Sequence, residues 1–117
     1  MIDDHIETIC SILPDGTFVF VNEVFCRVFG KKRSEFIGKK WGGMVEPGDL
    51  ERIQKQLQQL RPENPVVMVE HRVQIGPGGP RWMQFVNRGM FDERGNLLET
   101  RVVGRDITER VAVSYTH

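Results

Sequence analysis

The residues able to do chemistry are few, and their spacing limits what they could do. There are three histidines, His5 and His117 near the two ends and His71 inside an apolar stretch. Two cysteines, Cys10 and Cys26, lack the paired spacing of a metal site and the number needed for a disulfide framework. Cys26, beside Phe25 and Val28, reads as a small buried apolar residue. No serine or cysteine lies in a nucleophile motif. Gly76-Pro77-Gly78-Gly79-Pro80 reads as a proline-bearing turn, not a phosphate cradle. The expectation is therefore a chain that is not an enzyme and holds no metal. His71 is the exception worth following. It shares a strand parity with Val67, Val69, Val73 and Ile75, and a titratable group in that company is either hydrogen-bonded structure or a contact to a polar ligand.

Composition narrows the class further. A chain of 117 residues is one domain with one core. Lys plus Arg is 16 and Asp plus Glu is 16, so the formal charge is zero; a nucleic-acid binder would show a basic excess. No apolar run reaches the ~20 residues that span a bilayer. The polar opening Met1-Ile2-Asp3-Asp4-His5 is unlike a signal peptide. Together these imply no direct membrane contact by this domain and a reduced, cytoplasmic setting.

The elements that must position His71 follow from periodicity. Ile6 to Leu13 alternates and reads as a strand, Pro14-Asp15-Gly16 as a tight turn, and Thr17 to Val21 as a second strand. That second strand is apolar at both parities, so both its faces seek cover. Asn22 caps a helix that carries Phe25, Val28 and Phe29 on one face and stops at Gly30. Ser34 caps a very short helix, Glu35 to Ile37, stopped by Gly38. Trp41-Gly42-Gly43-Met44-Val45 is irregular. Pro47 opens a third helix with Leu50, Ile53, Leu57 and Leu60 as its apolar stripe. Three strands follow: Val66 to Ile75, Arg81 to Phe91 and Leu97 to Ile107, joined by short glycine-bearing turns into an antiparallel meander. A single block of helices cannot supply the regular crossovers of a parallel sheet. The expected class is α+β: a five-stranded antiparallel sheet with three short helices on its apolar face.

The chain resembles a PAS domain over nearly its whole length, residues 1–117 as a single domain. The resembling pieces are Leu13-Pro14-Asp15-Gly16, Val21-Asn22, Phe29-Gly30, Phe36-Ile37-Gly38, Glu46-Pro47-Gly48-Asp49, Glu70-His71-Arg72-Val73, Arg81-Trp82, Phe91-Asp92-Glu93-Arg94-Gly95 and Gly104-Arg105-Asp106-Ile107-Thr108-Glu109-Arg110. The last is similar to the Asp-Ile-Thr terminus of PAS domains upstream of bacterial signalling effectors. The resemblance implies a sensory or relay domain of a sensor histidine kinase, diguanylate cyclase or related two-component receptor. Its C-terminal effector would lie in the same chain, reached through a linker helix beginning at 109–117. Gly104, Arg105, Asp106, Ile107 and Thr108 then form the signal junction. Asp106 is expected to pair with Arg72 or Arg81, and Thr108 to cap the outgoing helix.

A small-molecule pocket is expected between helices and sheet. Its candidate lining is Phe20, Phe29, Phe36, Trp41, Met44, Ile53, Leu57, Val69, His71, Phe85, Thr100, Val102 and Gly104. No cofactor is evident. The Asn-Cys-Arg motif of covalent flavin relatives is missing, since Cys26-Arg27 follows Phe25 in the first helix, and the long helix lacks the histidine common in haem-binding relatives. A homodimer is expected, because one layer of helices cannot cover both faces of Phe18 to Val21. The alternative is a ligand-free dimerisation or interaction module whose pocket is filled by side chains.

Overall fold

The computed structural model describes residues 7–74 and 80–110. The elements run β1 (Thr8–Ile12), β2 (Phe18–Val21), α1 (Glu23–Phe29), α2 (Pro47–Leu57), β3 (Val66–Gln74), β4 (Pro80–Phe91) and β5 (Leu97–Asp106). All neighbouring strands pair antiparallel, in the order β2-β1-β5-β4-β3. The fold is thus the expected α+β sheet with its helical block on one face. The sheet's two halves meet where the first strand pairs with the last. The glycine-rich turn between β3 and β4 and the continuation of the linker beyond Arg110 lie outside the described residues.

Local chemistry sets each boundary. The β1–β2 turn closes with Gly16 at φ 91° and the Leu13 N–H donating to the Thr17 carbonyl at 2.9 Å. Asn22 does more than cap α1. Its Oδ1 accepts from the Phe25 N–H at 2.9 Å and the Ile9 N–H at 3.1 Å, and its Nδ2 donates to the Glu7 carbonyl at 3.2 Å. One amide therefore ends a helix and ties it to β1. Gly30 closes α1 in the left-handed region at φ 67°. Pro47 occupies the first turn of α2 as expected.

The short second helix differs from the sequence reading. It is a 3-10 turn at Arg33–Glu35, and Lys32, not Ser34, occupies the cap position. The Glu35 carboxylate reaches back to accept from the Lys32 N–H at 2.9 Å, which shifts the start by two residues. Trp41–Met44 forms a further 3-10 turn.

Two apolar clusters make the core. Phe18, Phe25 and Phe36, each 3% exposed, pack edge-to-face with centroid spacings of 4.9–5.9 Å, and Phe29 joins Phe25 at 4.6 Å. Ile53 of α2 packs with Val67 and Val69 of β3, and Trp41 touches both clusters. Phe25→Ala should cost about 3–5 kcal/mol, and Asn22→Ala about 0.5–2 kcal/mol for the cap, with more if the β1 contacts also matter. Urea unfolding of both variants checks the order; an Asn22→Ala variant as stable as the parent would show that water replaces the amide at no cost.

Candidate functional site

Between sheet and helices lies a cavity of about 70 Å³. Its floor is built from three inward-facing rungs of the sheet. One rung runs Cys10–Val102–Asn87–Val67, the next Thr8–Gly104–Phe85–Val69, and the third pairs Met83 with His71; Cys10, Val102, Asn87, Phe85, Val69 and His71 are the members that face the space. Period-two alternation puts these residues on one face. The roof comes from Phe25 and Phe29 of α1, Trp41, Met44 and Val45, and Ile53 and Leu57 of α2.

Gly104 is what lets the middle rung close. A Cβ there would lie 2.7 Å from the Phe85 ring and would also collide with the Thr8 hydroxyl. The Phe85 ring therefore occupies the space over the glycine, and the His71 ring stacks on it with centroids 5.0 Å apart and planes at 29°. His71 is 5% exposed. Its Nδ1 lies 3.1 Å from the Arg72 carbonyl oxygen. Burial holds its pKa below the ordinary 6.5; the carbonyl and Asp49 oppose that shift and Arg52 adds to it. The imidazole is thus neutral near pH 7. Asn87 spends Nδ2 on the Val67 and Phe85 carbonyls at 3.2 and 3.3 Å. Burial pushes the Cys10 thiol up to about 12, so it stays protonated.

The junction lies at the end of the sheet, where Asp106 and Arg81 keep the parity of Gly104 and Met83 but are exposed to solvent. Asp106 accepts from Arg81 Nε at 2.9 Å through one oxygen and from the Thr108 N–H at 2.9 Å through the other. Partial burial raises its pKa, but the bonds from Thr108 and Arg81 outweigh that and leave it below the ordinary carboxylate value. Ile107, 6% exposed, donates its N–H to the Trp82 carbonyl at 2.9 Å. On the outer face of β3, Glu70 Oε2 accepts from Gln84 Nε2 at 2.9 Å and from Arg110 Nη2 at 3.0 Å. Gln84, then Arg110, hold the Glu70 carboxyl below its usual range. Arg105 reaches Glu7 at 2.6 Å.

A family model described as "PAS fold" matches residues 6–112. The chain belongs to the PAS family. It is 24% identical over 108 residues to the two-component sensor PprA of Pseudomonas aeruginosa, a match covering 92% of this chain and 12% of that protein. The chain therefore spans about an eighth of that sensor's length. Among solved structures, a PAS domain from Colwellia psychrerythraea superposes with a TM-score of 0.78 at 20% identity, covering 91% of each chain. A sensory box histidine kinase/response regulator from Burkholderia thailandensis superposes at 0.74 and 18% identity, covering 94% of this chain and 83% of that one. At such identities the structural likeness speaks for the fold. The PAS chain thus resembles domains of a two-component sensor in sequence and of a sensory box histidine kinase in fold.

The PAS cavity gathers Phe29, Trp41, Met44, Ile53, Leu57, Val69, His71, Phe85 and Val102 of the residues anticipated from the sequence. Four others fall elsewhere. Phe20 is 46% exposed, because a bulge opposite Ser11 and Ile12 breaks the alternation of β2 and leaves Phe18 and Val21 as its buried residues. Phe36 is buried in the aromatic cluster beyond the cavity wall. Thr100 is one inward step further along β5, opposite Ile12 and Gly89. Gly104 has no side chain to present and acts by admitting Phe85. At the junction, Arg81 is Asp106's partner, while Arg72 pairs with Glu46 at 3.7 Å. Among the described residues Thr108 stands inside the first helical turn, 108–110, not before it. Its hydroxyl accepts from the Trp82 N–H at 2.9 Å, and its own N–H is taken by the Asp106 carboxylate. Sequence reasoning missed Cys10, Ile12, Phe18, Phe25, Val45, Val73 and Asn87 on the wall. For Asn87 the signal existed: it shares the parity of Met83 and Phe85.

Because the folded pKa of His71 lies below its unfolded value, the unfolded chain binds more protons as pH drops. The contribution of neutral His71 is complete above 6.5 and is lost progressively below it. Glu70 and Asp106, also lowered, lose theirs only further down, below their ordinary 4.5 and 3.8. Urea unfolding should show a stability loss between pH 7.5 and 5.5 that His71→Phe removes. Separately, Gly104→Ala should cost about 1–3 kcal/mol by displacing Phe85; an unchanged melting temperature would mean the ring has room to move.

Proposed function

We propose that this PAS domain is a non-catalytic sensory and relay module of a cytoplasmic two-component receptor, and that cavity occupancy biases the helix leaving the domain after Thr108. The effector in the same chain is a histidine kinase, the class its relatives favour, or a diguanylate cyclase. One observation carries this reading. β3 presents His71 to the cavity and, one residue earlier, Glu70 to the opposite face, where Glu70 holds Arg110 at 3.0 Å. A shift of β3 that accommodates an occupant therefore moves an anchor of the outgoing segment. The Asp106–Arg81 and Thr108–Trp82 bonds anchor it to β4 in the same way. Each bond is partly exposed and worth about 0–1.5 kcal/mol. That is weak enough for a modest difference in ligand affinity between two states to redistribute them. The reading requires no haem and no covalent flavin.

Glu70→Gln and Thr108→Val in the full-length receptor, or in a kinase fusion, should leave the melting temperature close to the parent's and change basal output or its response. Folded variants that signal as the parent does would remove β3 and β4 from the relay.

A second reading, an interaction module working by dimerisation, is favoured by the outer sheet face. Ile9, Val103, Val86 and Met68 form a continuous cross-strand row there, and Met68 is 54% exposed. Phe20 adds apolar surface at 46% exposure. A second copy covering this face accounts for the double-sided character of β2. Met68→Glu should then shift sedimentation toward monomer; an unchanged dimer would mean a different contact surface.

A further inference from the structure

The two polar side chains on the cavity wall narrow what it can hold. We propose, resting on the ligand-sensing reading above, that the occupant is a small neutral molecule with an apolar body and a hydrogen-bond donor, and that Nε2 of His71 receives that donor. The argument begins with the His71 tautomer. Nδ1 lies 3.1 Å from the Arg72 carbonyl oxygen. A carbonyl can only accept, so Nδ1 carries the proton and Nε2 is left with a lone pair. No described residue donates to Nε2. With Nδ1 turned to the backbone and the ring face against Phe85, the Nε2 edge is the one left to the cavity.

Asn87 repeats the pattern two rungs away. Both Nδ2 hydrogens are spent on the Val67 and Phe85 carbonyls, and no described residue donates to its Oδ1. Asn87 is 4% exposed and lines the cavity, so that oxygen is a second acceptor for an occupant. The remaining lining side chains bring no strong donor. Trp41 turns its indole N–H edge toward Gly16, where an added Cβ would meet Nε1 at 3.0 Å. The Cys10 thiol is only a weak donor. An anion would meet two lone pairs with no cation to receive it, and a cation would lose its hydration among apolar walls with no carboxylate. A neutral donor matches both acceptors. At about 70 Å³ the space is roughly half the 150 Å³ of a cavity that takes benzene, so two- to three-carbon probes fit.

The test uses the whole 117-residue chain, followed by amide and imidazole NMR. Xenon reports whether the cavity admits any occupant. 2-Propanol and acetone share a shape but differ in the donor, and acetate supplies the anion. Xenon and 2-propanol should shift the amides of Val69, His71 and Phe85. Acetone and acetate should bind at least about tenfold more weakly, the factor that corresponds to 1.4 kcal/mol. The His71 Nε2 resonance should move with 2-propanol and not with xenon. His71→Phe, which keeps a ring on Phe85, should still admit xenon and lose the preference for 2-propanol. Acetone binding as tightly as 2-propanol, or a preference that survives His71→Phe, overturns the ligand class and leaves the sensory reading standing. Exclusion of xenon from the parent overturns both. Should His71→Phe fail to fold, the parent's Nε2 resonance decides: no movement while the amide shifts saturate overturns the proposal.

Discussion

The site depends on a close approach of ring to backbone at one point. Phe85 lies over Gly104 in space that any side chain would fill. That contact lets β5 and β4 keep one register from Met83–Asp106 to Met90–Glu99, and it fixes the plane on which His71 stacks. Remove the glycine and the ring must leave; move the ring and the imidazole loses its face. The polar character of the cavity thus rests on the absence of a methyl group two strands away.

A second constraint follows from pleating alone. Successive residues of a strand face opposite ways, so β3 cannot present His71 inward without presenting Glu70 outward. The buried face selects for neutrality, because a charge there would go unpaired. The outer face tolerates a network of ions, because solvent lowers their cost. One strand therefore joins a largely apolar environment to a charged, solvent-exposed one with a single peptide bond between them.

The fold was largely legible in the sequence, because hydrophobic period, glycine stops and the Asn22 cap are local signals. The site was legible only where it depends on parity within one strand. His71, Val69, Phe85 and Val102 were found this way. Cys10 was not, because it joins the Val102–Asn87 rung only through the pairing of the first strand with the last, which no local pattern reports. Phe20 was misplaced by a bulge, which is set by pairing across the hairpin rather than by the composition of β2. Thr108 looked like a cap because its type and position fit one. Its hydroxyl instead serves a strand that lies 26 residues earlier in the chain.

The space beneath the helices that side chains leave open also gives the folded chain a volume that unfolding would eliminate. Hydrostatic pressure favours the smaller system, so it acts against this fold in proportion to that void. A molecule that enters the cavity removes the void and restores dispersion contacts to the walls around it. Compression and occupancy are therefore opposing forces on the same few side chains, and the domain's compressibility becomes a direct physical record of whether anything is inside.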